Sequence, residues 1–218
     1  MRGLCVVIPA CDEAPRLPAV LAPLAAVPEV ERITVVDDGS RDGTAAVARE
    51  WGVRDPRIRV LRLPENRGKG AAIVAGAEAS PGDLVVLLDA DLLGLEAQHV
   101  RDLALPVAEG GCDMAVGIFR EGRLATDLAQ SAAPILNGQR ALRWSLFRDT
   151  PGLVGCRGGA EVALSRHARR RGYRVLRVPL RGMTHVMKQE KRSRLAGRLA
   201  HLRMFGEIFR YLLRKVGA

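Results

Sequence analysis

Aromatic residues are scarce, at 4% of 218. A surface that stacks nucleic-acid bases needs several such rings on one face, so a nucleic-acid partner is not expected. Histidine is scarcer still, with four copies, and the four cysteines (Cys5, Cys11, Cys112, Cys156) form no CxxC pair. That argues against a structural zinc site. Cys5 and Cys112 lie in apolar runs, where a thiol behaves as a small hydrophobe. No uninterrupted apolar run reaches the roughly 20 residues needed to cross a bilayer. Leu4–Pro9 is too short for a signal-peptide core, and no cleavage site follows it. The expected location is the cytoplasm, with reduced thiols. A GxxxxGK[ST] phosphate loop is missing, and no GxGxxG follows the first strand, which speaks against a Rossmann dinucleotide site. Repeats, low-complexity tracts and linkers are missing too, so residues 1–218 are read as one domain.

What is present is apolar and basic. Hydrophobic residues make up 48% of the chain, and 34 Lys and Arg face 24 Asp and Glu, for a formal charge of +10. Such an excess suits anionic partners: nucleotides, phosphorylated acceptors or an anionic membrane surface. Residues 188–218 hold nine of the basic residues against Glu190 and Glu207. Leu195, Leu199, Leu202, Phe205, Ile208, Phe209 and Leu212 recur there at helical spacing. This tail is expected to be a basic amphipathic helix, either packed on the domain or lying on an anionic membrane.

The first half alternates strand-like and helix-like segments. Apolar runs at Leu4–Ile8, Ile33–Val36, Ile58–Leu63, Leu84–Leu88 and Met114–Ile118 read as buried strands. Ala14–Ala26, Gly43–Trp51 (capped by Asp42), Gly68–Ala79 and Glu96–Glu109 read as helices. The alternation predicts an α/β fold with a mostly parallel sheet and helices on both faces. In the second half, Gly138–Phe147 and Gly159–Arg171 are expected to be helical and Tyr173–Val178 a strand. Phe119–Pro134 has no clear period and is expected to be a long irregular segment.

Ligands of such sheets bind beyond the carboxyl ends of the strands. Four polar clusters fall there: Pro9–Glu13, Asp37–Ser40, Asn66–Gly70 and Asp89–Asp91. Asp89 and Asp91 stand two residues apart and repel when ionised. A divalent cation relieves this, and hard oxygen ligands favour Mg²⁺ or Mn²⁺. The plainer reading has Asp89 capping a helix and Asp91 solvated. Asp37–Ser40 is either a turn or a carboxylate acceptor for a base or ribose. In Asn66–Gly70 the glycines, Lys69 and a helix N-terminus suit a phosphate; a helix start with a solvated lysine is the alternative. His185 reads as a third metal ligand or as a satisfied histidine. Glu161 reads as a general base or as a carboxylate on its own helix dipole.

Taken together, these residues resemble family 2 glycosyltransferases. Val6-Val7-Ile8-Pro9-Ala10-Cys11-Asp12-Glu13 is similar to their VVIPAYNE, with Cys11-Asp12 in place of Tyr-Asn. Val35–Ser40 with Asp42-Gly43-Thr44 resembles VVDDGSxDGT, Asn66–Gly70 resembles NxGKG, and Asp89-Ala90-Asp91 resembles the metal-binding DxD. Asn137–Ala141 looks like the SGxRA stretch of polyprenyl-phosphate glycosyltransferases. Gly159–Leu164 followed by His185 is similar to glucosyl-3-phosphoglycerate synthases, which retain anomeric configuration where most of the family invert it.

The resemblance implies a GT-A (Rossmann-like) fold. Residues 1–118 would bind the nucleotide-sugar, 119–187 the acceptor, and 188–218 would be the basic helix. Pro9, Ala10, Glu13 and Asp38 would line the nucleoside pocket. Lys69, Asp89 and Ala90 would contact the donor. Asp91 would be the chief metal ligand and a catalytic residue, joined by Asp89 and His185, and Glu161 the acceptor-side carboxylate. The cofactor would be Mg²⁺ or Mn²⁺, the donor a UDP- or GDP-sugar, and the acceptor a polyprenyl phosphate or a small phosphorylated acid such as 3-phosphoglycerate. Peripheral contact with a membrane through 188–218 and a homodimer belong to the same reading. The alternatives are a sugar-phosphate nucleotidyltransferase, whose Gly-rich loop ending in Arg and Lys is missing here, and a non-catalytic basic nucleic-acid- or membrane-binding domain.

Overall fold

A computed structural model describes residues 3–120 and 138–185, the last by its backbone alone. The chain divides into two units, 1–184 and 185–218, and the main sheet belongs to the first. The expectations for residues 121–134 and for the 188–218 helix lie outside the described residues.

The described residues form nine strands and six helices. In chain order they are β1 (Leu4–Ala10), α1 (Leu17–Leu24), β2 (Val30–Asp38), α2 (Thr44–Arg54), β3 (Ile58–Leu63), α3 (Lys69–Ala79), β4 (Leu84–Leu87), β5 (Leu92–Leu93), α4 (Ala97–Ala108), β6 (Met114–Arg120), β7 (Arg140–Arg143), α5 (Trp144–Arg148), α6 (Ala160–Arg170), β8 (Val175–Arg181) and β9 (Thr184–His185). Seven strands form one sheet in the order β3-β2-β1-β4-β7-β6-β8, and β5 pairs with β9.

β1 pairs in parallel with both β2 and β4, β2 with β3, and β6 with β8. Within this sheet only β7 runs antiparallel to its neighbours, between β4 and β6. This corrects the helix expected over Gly138–Phe147. The register places Arg140–Arg143 opposite Leu84–Leu87 on one side, and Arg140–Leu142 opposite Met114–Val116 on the other. The demand of two neighbouring strands for ladder partners overrides the local helical pattern. The helix that does form, α5, is five residues long.

The central strands β1 and β4 are apolar because both faces are covered. Val6, Ile8 and Val35 pack with Leu17, Leu21 and Leu24 of α1 and with Val100, Leu103 and Val107 of α4. Val7 and Val36 point to the other face, as the two-residue period requires. There they meet α3 at Gly76, where a Cβ would stand 2.6 Å from a Val7 methyl and 2.7 Å from a Val36 methyl. Arg57 ties the far end together. Its guanidinium donates to the Leu24, Val27 and Val30 carbonyls and pairs with Asp55 at 2.7 Å. β2 and β3 leave β1 on one side and β4 lies on the other, so the connection reverses at the β1/β4 boundary. The carboxyl ends of these two strands open the crevice where such sheets hold ligands.

Candidate active site

Pro9 and Ala10 are the last residues of β1, registered against Val36 and Asp37 of β2. The chain then turns sharply at Asp12, which holds a left-handed φ of 56°. Its N–H donates to Ser40 Oγ at 3.0 Å and its carboxylate accepts from the Arg41 N–H at 2.8 Å. Glu13 is buried and accepts from Arg16 at 2.8 Å. The Ala14 N–H donates to Asp42, which also accepts from the Thr44 N–H and hydroxyl. Asp42 is thus the first-turn acceptor of α2, one residue ahead of the Gly43 cap. These bonds knit the loops after β1 and β2 into one wall.

Asp37 and Asp38 end β2 and are nearly inaccessible. Asp37 accepts from the Ser40 N–H, with the Arg62 guanidinium 3.3 Å away. Asp38 accepts from the N–H groups of Arg67 at 2.7 Å and Gly68 at 2.9 Å, one on each oxygen. The next two N–H groups, of Lys69 and Gly70, donate to the carbonyls of Arg157 and Cys156 at 3.2 and 2.8 Å. Four successive amides at the start of α3 are therefore committed within the protein. The anion-binding helix terminus read from the sequence is sealed. The glycines do permit a close approach, but by another stretch of the chain: a Cβ on Gly70 would stand 2.1 Å from the Leu153 carbonyl oxygen, and one on Gly68 2.6 Å from Arg157 Cα.

What remains of that cluster is the Lys69 side chain, and it crosses the crevice. Its ammonium lies 2.6 Å from Asp89 Oδ1 and also bonds Glu161 Oε1. Burial alone depresses a lysine pKa; here the two carboxylates outweigh it and raise it well above the usual range. Asp89, at the end of β4, also accepts from Gln139 Nε2 at 2.9 Å. Gly138 packs its backbone tightly against this carboxylate, since a Cβ there would sit 2.4 Å from Asp89 Oδ2. Ala90 is buried and Asp91 half-buried, just before β5.

Beneath this cluster lies Arg140, fully inaccessible on β7. Its guanidinium donates to the Glu161 carbonyl at 3.0 Å and to Ser165 Oγ at 3.2 Å. Burial lowers its pKa to about 10, against the attraction of Glu161 and Asp89. Gln139 and Arg140 were not among the expected site residues.

The structure thus brings together Lys69, Asp89 and Glu161, with Asp91 two residues on. Asp38 and Glu13 stand on the adjoining wall, beside Pro9 and Ala10. His185 ends the two-residue β9, and its side chain lies outside the described residues. Among the described residues, no three of His, Cys, Asp and Glu gather into a ready-made metal cage.

This arrangement coincides with a family match. The sequence profile described as "Glycosyl transferase family 2" covers residues 5–167. The chain belongs to that family. One family 2 relative is the polyprenol monophosphomannose synthase of Mycolicibacterium smegmatis, 36% identical over 115 residues, covering 51% of this chain and 43% of that protein. Another is the undecaprenyl-phosphate 4-deoxy-4-formamido-L-arabinose transferase of Aeromonas hydrophila, 34% identical over 137 residues, covering 61% and 41%. The matches span less than half the length of these curated relatives. Among solved structures, a glucosyl-3-phosphoglycerate synthase from Mycobacterium tuberculosis, in complex with Mn²⁺, UDP and glucosyl-3-phosphoglycerate, is similar at a TM-score of 0.68. It is 25% identical, with 85% of this chain and 72% of that one covered. The family 2 fold therefore accounts for the mostly parallel sheet. No helix among the described residues is long and apolar enough to cross a membrane.

Proposed function

We propose that this chain transfers a glycosyl group from a UDP- or GDP-sugar to an acceptor bearing a phosphate, with Mg²⁺ or Mn²⁺ as cofactor. The observation that carries the reading is the Lys69–Asp89–Glu161 cluster at the β1/β4 crevice. It joins a carboxylate from the donor half and one from the acceptor half through a single cation.

The donor set fits the metal. Asp89 and Asp91 offer hard oxygens two residues apart, on a half-buried stretch after β4. Two such carboxylates suit Mg²⁺ and Mn²⁺, which rarely demand an all-protein cage and take phosphate oxygens as further ligands. When bound, the metal would offset the charge of the departing diphosphate. His185 is a proposed further ligand. Asp38, Glu13, Pro9 and Ala10 would form the nucleoside wall. Lys69, released from one carboxylate as donor and metal arrive, would face the diphosphate as charge develops on it. Glu161, held by Lys69 and fixed through its backbone by Arg140, would receive the acceptor and, in an inverting reaction, its proton.

Two acceptor classes are supported by similarity. The curated relatives act on polyprenol and undecaprenyl phosphate, and the solved neighbour holds a glucosyl-3-phosphoglycerate. Peripheral membrane contact through 188–218 belongs with the lipid acceptor. The test is release of nucleoside diphosphate from UDP- and GDP-hexoses, with Mn²⁺, against each acceptor class. Release that needs both metal and acceptor, and that is lost in Asp91→Ala, is the expected result. No release from any donor with either acceptor class contradicts the proposal.

A further inference from the structure

A nucleoside diphosphate in this crevice would lie beside the carboxylates of Asp89, Asp91 and Glu161. It needs positive charge from the protein as well as from a metal. The two sources suggested by the sequence are both engaged. The amides of residues 67–70 donate to Asp38 and to the carbonyls of Arg157 and Cys156. The Lys69 ammonium is shared by Asp89 and Glu161. Two arginines on the wall are paired as well: Arg16 with Glu13 and Arg62 with Asp37.

Arg157 is different. It is exposed, and no carboxylate among the described residues pairs with it. Its guanidinium reaches back over the nucleoside wall, with Nη2 3.4 Å from both the backbone and the side-chain oxygens of Asn66. Both are neutral acceptors at long range, and weak bonds of this kind are readily exchanged for a charged one. Asn66 Nδ2 in turn donates to Cys11 Sγ at 3.2 Å, so Cys11, Asn66 and Arg157 form a line of contacts beginning in the loop after β1. The backbone of Arg157 is fixed to α3 through the Lys69 N–H, and the missing side chain of Gly68 allows that contact. A loop from the acceptor half thus delivers a cation to the rim of the donor pocket.

We infer that Arg157 is an anion-binding residue of the donor site, taking a phosphate of the nucleotide in exchange for its contacts with Asn66. This rests on the reading of the crevice as a nucleotide-sugar site. Guanidinium is suited to the task because it can grip two phosphate oxygens at once.

The test is calorimetric titration of the nucleoside, its monophosphate and its diphosphate, in the uridine and guanosine series with Mn²⁺. The proteins are the wild type, Arg157→Ala and Arg157→Lys. Loss of one charge-assisted contact predicts about 10-fold weaker diphosphate binding in Arg157→Ala or more, and a smaller loss in Arg157→Lys. Nucleoside affinity should stay within about 2-fold, and the ligand-free melting temperature within about 2 °C, as for most exposed substitutions. Unchanged diphosphate affinity in Arg157→Ala overturns the inference and leaves the functional reading standing. An equal loss for nucleoside and diphosphate also overturns it, because loop position rather than charge would then be at work. A wild type that binds neither diphosphate refutes the functional reading beneath it.

Discussion

Asp38 is the last residue of β2 and Asp89 follows the carboxyl end of β4 by two residues, on the same edge of the sheet, yet their partners are opposite in kind. Asp38 is bonded by two backbone amides that have nowhere else to go. Asp89 is bonded by the side chains of Lys69 and Gln139. Backbone partners make a carboxylate part of the scaffold, because losing it strands buried donors. Side-chain partners can be exchanged when a cation or substrate arrives. The β2 edge is therefore built to stay, and the β4 edge to change.

The sharpest way to break this comparison is at the β4 edge. Asp91→Ala should lower transfer at least about 100-fold, in line with loss of a principal electrostatic group. Its melting temperature should change less than its rate, because the side chain is only half-buried. Parallel rate and melting measurements check both. The next largest effect is steric. Gly70→Ala drives a methyl toward the Leu153 and Cys156 carbonyls and should cost about 1–3 kcal/mol by overpacking, read as a lower denaturant midpoint. Increased hydrogen exchange at residues 153–157 in the same variant would show that this seam is what gives way.

Much of this was legible in the sequence, and unevenly so. Ile58–Leu63 and the strand-end placement of Asp37, Asp38 and Asp89 follow from apolar runs ended by turn-forming residues, which are local signals. β7 was not legible, because Arg140–Arg143 becomes a strand only by inserting between β4 and β6. The seal on α3 was hidden for the same reason. Glycines and a lysine before a helix look alike whether a phosphate or the carbonyls of residues 156 and 157 will approach. Gln139 and Arg140 join the site through contacts 21 to 50 residues away, which no local pattern encodes.

Asp38→Ala sharpens the comparison from the other side. It should destabilise the fold by about 1–3 kcal/mol through the two orphaned amides. The smallest expected effect is on acid stability. Asp55 is held below the usual carboxylate range by its hydrogen bond from Arg57. In Asp42 and Asp113 burial works the other way, but hydrogen bonds from Thr44 and Ala14, and from Arg174, prevail and the pKa is lowered. A depressed native pKa adds stability that is present above the unfolded value of about 3.9 and is lost as pH falls through the native values. The melting temperature should therefore drop as pH goes below about 4, and Asp55→Asn should flatten that drop.

The most direct measurement compares Asp38→Ala with Asp89→Ala. Each would be melted in denaturant without ligand, then titrated with UDP and GDP in the presence of Mn²⁺ or EDTA. Asp89→Ala should stay close to wild-type stability and lose the metal-dependent part of nucleotide binding. Asp38→Ala should lose stability and, while folded, keep a metal-dependent response. If Asp89→Ala is the less stable of the two, or if its nucleotide binding responds to Mn²⁺ as the wild type does, the division between a fixed β2 edge and an exchangeable β4 edge is wrong.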